Sequence, residues 1–486
     1  MDMHAHDENA VAEPEAVIKI DPKTELLKAL DIQRNAFSKH TYPTYEERIK
    51  DLKALKNAIL KHQDAFCAAV SEDYGHRSVD DTLRADVLPT IHSINYCMKN
   101  LKKWMKPSRR SAGLLFLPST VRVHYQPVGI VGIIVPWNVP MVLSLAPLAY
   151  ALASGNSAMI KLSELVPKTN KVLRQICNEV FTEQKVAIFE GEADVAAAFS
   201  SLPFDHLLFT GSTAVGKHVM RAASENLTPV TLELGGKSPT IIAPDMDIDL
   251  AVNRLIFGKS LNAGQLCIST DYILCPKDKV DELLTSYKKR FASMYSNQSS
   301  DDYSSVVNDG HFVRLKNLLN DAVNKGAKVH SATNENVPEN GRRMATQLVT
   351  DVSDDMEIMQ SEIFGPLLPI VGYSDLDEAI EYVKSHDRPL SLYIMSHDSE
   401  LQERVLKETH SGGVSINETV FQFAVDDAPF GGTGPSGIGN YHGKEGFIRF
   451  SHAKTVLKSG RINTAPLLRP PYGGLLQKLL LKIFIR

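Results

Sequence analysis

Between His124 and Met159 the chain carries no formal charge other than any that His124 itself takes up. So long an uncharged stretch belongs either in a bilayer or in a deep protein core. Pro127, Pro136, Pro140 and Pro147, with Gly129, Gly132 and Gly155, cut it into pieces too short to cross a membrane as one helix. It reads instead as a buried strand over 129–135, a loop, a helix from about Val142 and another buried strand over 157–162. Short apolar strands that alternate with helices predict a parallel α/β sheet covered on both faces.

The alternation extends in both directions. Upstream, a helical pattern runs from Leu26 to Lys61, interrupted at 41–44, where Thr44-Tyr45-Glu46-Glu47 offers a capping-box start. It resumes over 87–103. Residues 107–118 form a basic, glycine-containing connector, and 121–125 alternate as a half-buried strand does. Downstream, helices are expected over 173–181, 193–200 and 215–223, with strands over 186–189, 206–209 and 230–234. Past Cys267 come a strand over 272–275, helices from Asp278 and from His311, a strand over 368–371, a helix over 376–385 and a last strand over 414–417. Two α/β halves therefore flank Gly235-Gly236. A chain of 486 residues exceeds one hydrophobic core, so two or three domains are expected.

Bulk chemistry narrows the function classes. A net charge of −4 gives no electrostatic support for a nucleic-acid partner. Cys67, Cys97, Cys177, Cys267 and Cys275 are odd in number and scattered, which suggests neither a disulfide framework nor a metal site; a reducing, cytoplasmic compartment is expected. Residues 1–17 are acidic and polar, lack the apolar core of a secretory signal and are expected to be a disordered tail. Two histidines in such a tail, His4 and His6, do not make a metal site, and no metal is expected.

Several short stretches carry candidate chemistry. Cys267 follows the Gly264-Gln265 turn and precedes an apolar run, a place for a nucleophilic thiol, although a lone cysteine is more often a small buried hydrophobe. Glu233 beside Gly235-Gly236 adds a carboxylate, and Asn138 within Pro136–Pro140 adds a side-chain amide. Thiol, carboxylate and amide are the parts that thioester chemistry needs. Gly211-Ser212-Thr213-Ala214-Val215-Gly216 follows a strand and opens a helix, a place that suits a pyrophosphate, although the motif alone favours an ordinary βα turn. Lys161 and Glu164 end a strand and suit ribose hydroxyls; Glu164 would repel a 2′-phosphate, favouring NAD over NADP, while the plain alternative is a solvated pair. Glu362 and Phe364 offer a carboxylate and a ring in a tight turn, or a plain loop.

Taken together, these stretches resemble the aldehyde dehydrogenase superfamily over nearly the whole chain, from about Leu26 to Leu457. Residues 209–217, 233–239, 264–267 and 362–366 look like its signatures in order and spacing. Residues 228–231, 388–390 and 435–443 look like the class 3 branch, which includes coniferyl aldehyde dehydrogenases. Leu266 and Ser269-Thr270 depart from that branch around the thiol and bear on substrate fit.

The resemblance implies an α/β fold of two Rossmann-like domains plus a small β bridging element. Residues 21–118 and 130–235 would bind NAD, 236–423 would form the catalytic domain, and 119–129 with 448–460 the bridging and oligomerisation element; 1–20 and 461–486 would be tails. A homodimer is implied. The implied reaction is oxidation of an aldehyde to its acid, with NAD as cofactor and NADP left open. Cys267 would be the nucleophile, Asn138 the oxyanion donor and Glu233 the base that activates water. Lys161, Glu164, Gly211, Ser212, Gly216, Glu362 and Phe364 would hold the cofactor, with Lys237 helping. Transfer of the acyl group to coenzyme A is one alternative, and a non-enzymatic scaffold is another. An aromatic aldehyde such as a coniferyl-type compound, or a medium-chain aliphatic one, is the expected substrate. The apolar run 420–424 and the absence of Lys or Arg between Gly412 and Gly443 agree with that.

The C-terminus, 475–486, places Lys478, Lys482 and Arg486 four apart on an otherwise apolar segment. It is expected to form a helix that docks on the protein's own body or on a dimer partner; peripheral contact with an anionic membrane surface is the less favoured reading.

Overall fold

The computed structural model describes residues 21–333, 335–461 and 464–485, so the expected tail at 1–20 lies outside the described residues. Three sheets organise the chain. The first has six strands, in the order Gly437–Ile438, Val230–Glu233, His206–Thr210, Ile130–Ile134, Ser157–Lys161, Val186–Phe189. Its five longer strands pair in parallel. Side-chain alternation sends Val131 and Ile133 to one face and Ile130 and Ile134 to the other. The first face packs on the helices Tyr45–Tyr74, Leu88–Trp104, Pro140–Ser154 and Pro167–Val180; the second packs on Pro22–Lys39, Ala193–Ser200 and Thr213–Ser224.

Every residue of the helix Pro140–Ser154 is buried, so the uncharged stretch is core. Among the described residues no helix is long and apolar enough to cross a membrane. The helix Tyr45–Tyr74 starts with the expected capping box between Thr44 and Glu47 and ends at Gly75 with φ +73°.

The second sheet has seven strands, ordered Lys328–Ser331, Gln347–Thr350, Leu367–Tyr373, Tyr272–Pro276, Pro239–Ile242, Ser391–Met395, Gly413–Ile416. The third is antiparallel: Ser108–Arg110, Thr120–Pro127, Ser451–Lys458.

Two expectations need correction. The strand near 414–417 is not the last. Gly437–Ile438 follows it and returns antiparallel to the strand of Glu233, and Ser451–Lys458 follows in turn, pairing Val456 with Arg122 where the resemblance, though not the residue pattern, implied a strand. The first is too short to leave a pattern and the second is exposed almost throughout, so neither shows the alternation of a half-buried strand. The C-terminal helix Leu475–Phe484 does form, but it does not dock on the chain's own body: none of its residues is buried. Residues 470–474 before it are also exposed and carry it away from the core.

Candidate active site

Parallel strands open their C-terminal ends on one edge, where ligands of α/β sheets collect. At this edge Glu233 closes its strand, Gly211-Ser212 follows His206–Thr210, and Pro136–Asn138 follows Ile130–Ile134. Ser212 caps the helix Thr213–Ser224, its Oγ accepting from the Val215 N–H at 3.4 Å. Gly216 serves packing: an added Cβ would lie 2.6 Å from Leu234, and the residue lines neither cavity described below. Lys161 is buried at the end of its strand, with Nζ donating to Glu164 Oε2 at 3.1 Å.

Cys267 sits after a turn with an uncommon backbone. Asn262 and Ala263 both adopt left-handed conformations, φ +51° and +52°, and Gly264 continues at +74°. Only glycine fits at 264, because a Cβ there would lie 2.7 Å from the Gly365 carbonyl. Gln265 is fully buried and ties the turn down. Its Nε2 donates to the carbonyls of Asn262 (2.9 Å) and Ser305 (3.0 Å), and its Oε1 accepts from the Val307 N–H (2.9 Å).

Asn138 is held from both ends. Its Nδ2 donates to the Gln265 carbonyl at 3.1 Å, leaving its second N–H for another acceptor. Its own carbonyl accepts from Arg77 Nη1 (2.9 Å), Asn262 Nδ2 (3.0 Å) and Tyr74 Oη (3.2 Å). Arg77 in turn pairs with Asp86 at 3.1 Å, both side chains fully buried. Asp86 Oδ1 accepts from the N–H groups of Met141 (2.9 Å) and Val142 (3.3 Å), at the start of the helix after Asn138.

The carboxylates are deprived of water. Both oxygens of Glu233 and Oε1 of Glu362 lack hydrogen-bond partners among the described residues. Burial pushes the Glu233 carboxyl well above the usual range, with Arg449 opposing. Burial, then Asp271, raises Glu362 to about 8, against the Gly236 N–H, Lys237 and Arg314. Burial, then Glu362 and Glu233, pushes the Cys267 thiol up to about 12, against the N–H groups of Cys267 and Ile268.

The Glu362 loop is clamped by groups from elsewhere. Lys237 Nζ pairs with Asp271 and donates to the carbonyls of Ile358 (2.7 Å) and Ser361 (3.1 Å). Asp271 Oδ1 accepts from the Ile363 N–H at 2.9 Å, and Arg314 donates to the carbonyls of Glu362 and Ile363. Phe364 is left-handed (φ +49°), and its ring meets Trp137 edge-on at 5.3 Å.

These groups enclose two cavities. One, of about 210 Å³, is lined by Glu233, Glu362, Phe364, Thr210, Gly211 and Ser212, among others. The other, of about 500 Å³, is walled by side chains such as Leu88, Phe257, Leu266, Val420, Phe421 and Phe423. Asn138, Leu143 and Cys267 line both, so the thiol stands where the two meet. A third, apolar slot of about 550 Å³ lies between the helices Ala193–Ser200 and Thr213–Ser224.

Sequence reasoning brought Cys267, Glu233, Asn138, Glu362, Phe364, Gly211 and Ser212 to one place. It missed Tyr74, Arg77, Asp86, Asp271, His311 and Arg314. Their charged or polar character reads as solvated surface until the fold is known. It also missed the apolar slot, whose alanine-rich wall reads only as helix.

The chain has counterparts among known proteins. The model of the aldehyde dehydrogenase family matches residues 10–456. A probable coniferyl aldehyde dehydrogenase of Pseudomonas aeruginosa is 50% identical over 455 residues, covering 93% of this chain and 95% of that protein. The structure of Staphylococcus aureus AldH in a substrate-bound state superposes with TM-score 0.90 at 37% identity, covering 95% of this chain and 99% of that one. Betaine aldehyde dehydrogenase from Staphylococcus aureus, in complex with NAD+, superposes with TM-score 0.81 at 27% identity, covering 90% and 88%. With its signatures gathered around one thiol, the chain belongs to the aldehyde dehydrogenase family, as an NAD(P)-dependent enzyme that oxidises aldehydes.

Proposed function

We propose that this enzyme oxidises a bulky apolar aldehyde, aromatic such as a coniferyl-type compound or medium-chain aliphatic, to its acid through a thioester on Cys267. The observation that carries the reading is the place of Cys267 on the wall between the two cavities. The aldehyde lies in the apolar cavity with its carbonyl against the sulfur. The free N–H of Asn138 and the backbone N–H of Cys267 receive the oxyanion; one such donor is worth roughly 3 kcal/mol in other enzymes. When bound, the nicotinamide supplies the hydride acceptor. Glu233, unpartnered and desolvated, then takes a proton from the water that cleaves the thioester.

The residues present suit a dinucleotide. The unpartnered Glu362 oxygen can accept from ribose hydroxyls, the capped helix at Ser212 offers N–H groups to phosphate, and the apolar slot suits a flat base. Gly235 lets the Glu362 carboxylate approach, since a Cβ there would lie 2.1 Å from its oxygen. NAD is preferred to NADP through Glu164. Gly216 assists only by letting the helix approach Leu234.

In this reading the first sheet belongs to the cofactor domain, the second to the catalytic domain and the third to a bridging element. A homodimer is proposed, supported by the open sheet edges at Gly413–Ile416 and Ser451–Lys458. A cytoplasmic location is supported by five unpaired cysteines.

Support for the substrate comes from the apolar cavity and the Pseudomonas relative named for coniferyl aldehyde. The test is NADH formation with coniferaldehyde, cinnamaldehyde, benzaldehyde, hexanal and succinic semialdehyde, with and without coenzyme A. Aromatic or hexanal turnover without coenzyme A is expected. Fastest turnover of succinic semialdehyde would overturn the substrate class, and a requirement for coenzyme A would overturn hydrolysis.

A further inference from the structure

The apolar cavity has polar groups in two places, and the reaction uses one of them. Asn138 and Cys267 stand at its inner end, where it meets the smaller cavity. Arg84 and His92 are the other hydrogen-bonding side chains of its wall among the described residues, and the chemistry at Cys267 calls on neither.

Exposure shows where they lie. Leu143, Leu261, Leu266 and Ile268 of the same wall are buried, whereas Leu88 and Phe421 are 49% and 50% exposed. Arg84 and His92 are exposed too, so they belong to the mouth. The π-helical turn Leu83–Val87 runs into the helix Leu88–Trp104, and Arg84, Leu88 and His92 follow at intervals of four along one face. Helical side chains lean back toward the N-terminus, so the His92 imidazole covers the turn around Leu88. Arg84 pairs with Asp80, an exposed contact of the kind that adds little and is readily exchanged for a ligand.

Each donor has a carboxylate beside it. Asp80 accompanies Arg84, and His92 acts on Asp426, whose carboxyl is raised by burial against the Ser93 hydroxyl and His92. The mouth therefore offers hydrogen bonds without a strong net charge. A carboxylate arriving there would meet two others; a hydroxyl would not. A hydroxyl both donates and accepts, which suits an imidazole and a guanidinium on one helix face. An aryl propenal with a hydroxyl para to its chain is apolar along its length and polar at its two tips, as the cavity is. With its aldehyde at Cys267, its hydroxyl points to the mouth.

We propose that His92, with Arg84 as a second donor, reads a hydroxyl at the far end of the aldehyde, so that the enzyme favours para-hydroxylated aryl aldehydes over unsubstituted aryl and aliphatic ones. The proposal rests on the substrate class given above and narrows it.

The test compares 4-hydroxycinnamaldehyde with 4-methylcinnamaldehyde, which has nearly the same shape without the hydroxyl, by NADH formation at saturating NAD+. The unaltered enzyme is expected to favour the hydroxyl compound about tenfold in kcat/KM, mostly through KM. His92→Phe keeps a ring but no nitrogen and should bring the ratio to about one; His92→Asn, whose amide still donates, should keep part of it. Arg84→Met should lower the ratio about threefold. Both compounds are read on one preparation, so a loss of folded enzyme changes both alike and leaves the ratio as it was. Equal use of the two compounds by the unaltered enzyme would overturn the proposal, as would an undiminished ratio in His92→Phe. So would faster turnover of 4-carboxycinnamaldehyde than of the hydroxyl compound, since the mouth would then read charge. If neither aryl propenal is oxidised while hexanal is, the aromatic half of the substrate class falls and this proposal with it; equal oxidation of both removes this proposal alone.

Discussion

The two cavities that meet at Cys267 solve opposite problems. The smaller one gathers Glu233 from the first sheet, Glu362 from the loop before Leu367–Tyr373 and Arg314 from the helix Asp309–Asn324, and withholds water from the carboxylates. The larger one is walled chiefly by apolar side chains, with Arg84 and His92 among its few polar members. On the polar side, position matters, because each carboxylate must meet one hydrogen or one hydroxyl. On the apolar side, shape and area matter, because burial is non-directional. A change on the polar side should therefore alter the rate of one chemical step, and a change on the apolar side should alter which aldehyde is used.

The largest effect should come at the shared wall. Cys267→Ala should lower aldehyde oxidation by about four orders of magnitude or more while NAD+ still binds, read as NADH absorbance and cofactor fluorescence. Retained activity would remove the nucleophile from the wall and dissolve the comparison. On the polar side alone, Glu233→Gln should permit one stoichiometric burst of NADH and then slow turnover by about 10²–10⁴-fold. Because burial raises the Glu233 carboxyl, the base forms only as pH climbs, so steady-state turnover should rise toward alkaline pH. The variant should lose that contribution to the profile. An unchanged steady state would mean that another group activates the water.

Asp86→Asn tests the support of the wall. It leaves the Arg77 guanidinium buried without its counter-charge, which should lower stability by roughly 3–5 kcal/mol in urea unfolding. Through the Asn138 carbonyl it should lower kcat more than it raises KM. A stable variant whose KM alone changes would show that this network does not position Asn138. The smallest effect belongs to the apolar side. Phe257 and Phe421 stack at 5.8 Å, and Phe421→Ala should reduce kcat/KM for cinnamaldehyde by about tenfold and for hexanal by less. Equal losses for both substrates would mean that the cavity does not select by ring contact.

The five parallel strands of the first sheet were legible because they are buried almost throughout and come out as mainly apolar runs; the helices over 193–200 and 376–385 fall at the expected residues. In the second sheet, Pro239–Ile242 and Ser391–Met395 went unread although both are fully buried. A proline begins the first of these, and the Arg388-Pro389 turn stands just before the second. Proline reads as a strand breaker, although a first position tolerates it. Lys328–Ser331 is a partly exposed edge strand and leaves little pattern.

Within the site, the legible residues are those in short glycine-bearing stretches, where close approach dictates residue type. Arg77 and Asp86 were not legible. Arg77 meets the Asn138 carbonyl across 61 positions of chain, and no local pattern marks a charged side chain that the fold will bury.

The return of Gly437–Ile438 to the strand of Glu233 has a consequence in time. The Leu234 N–H donates to the Ser436 carbonyl at 3.0 Å, and the Gly437 and Glu233 backbones pair. During synthesis the sheet that holds the base therefore waits, one strand short, while the whole second sheet is made. Until the ribosome has delivered residue 438, the edge beside Glu233 stays bare and open to other nascent strands. A nascent chain released before that point would carry every residue of the reaction and still lack the frame that holds its base.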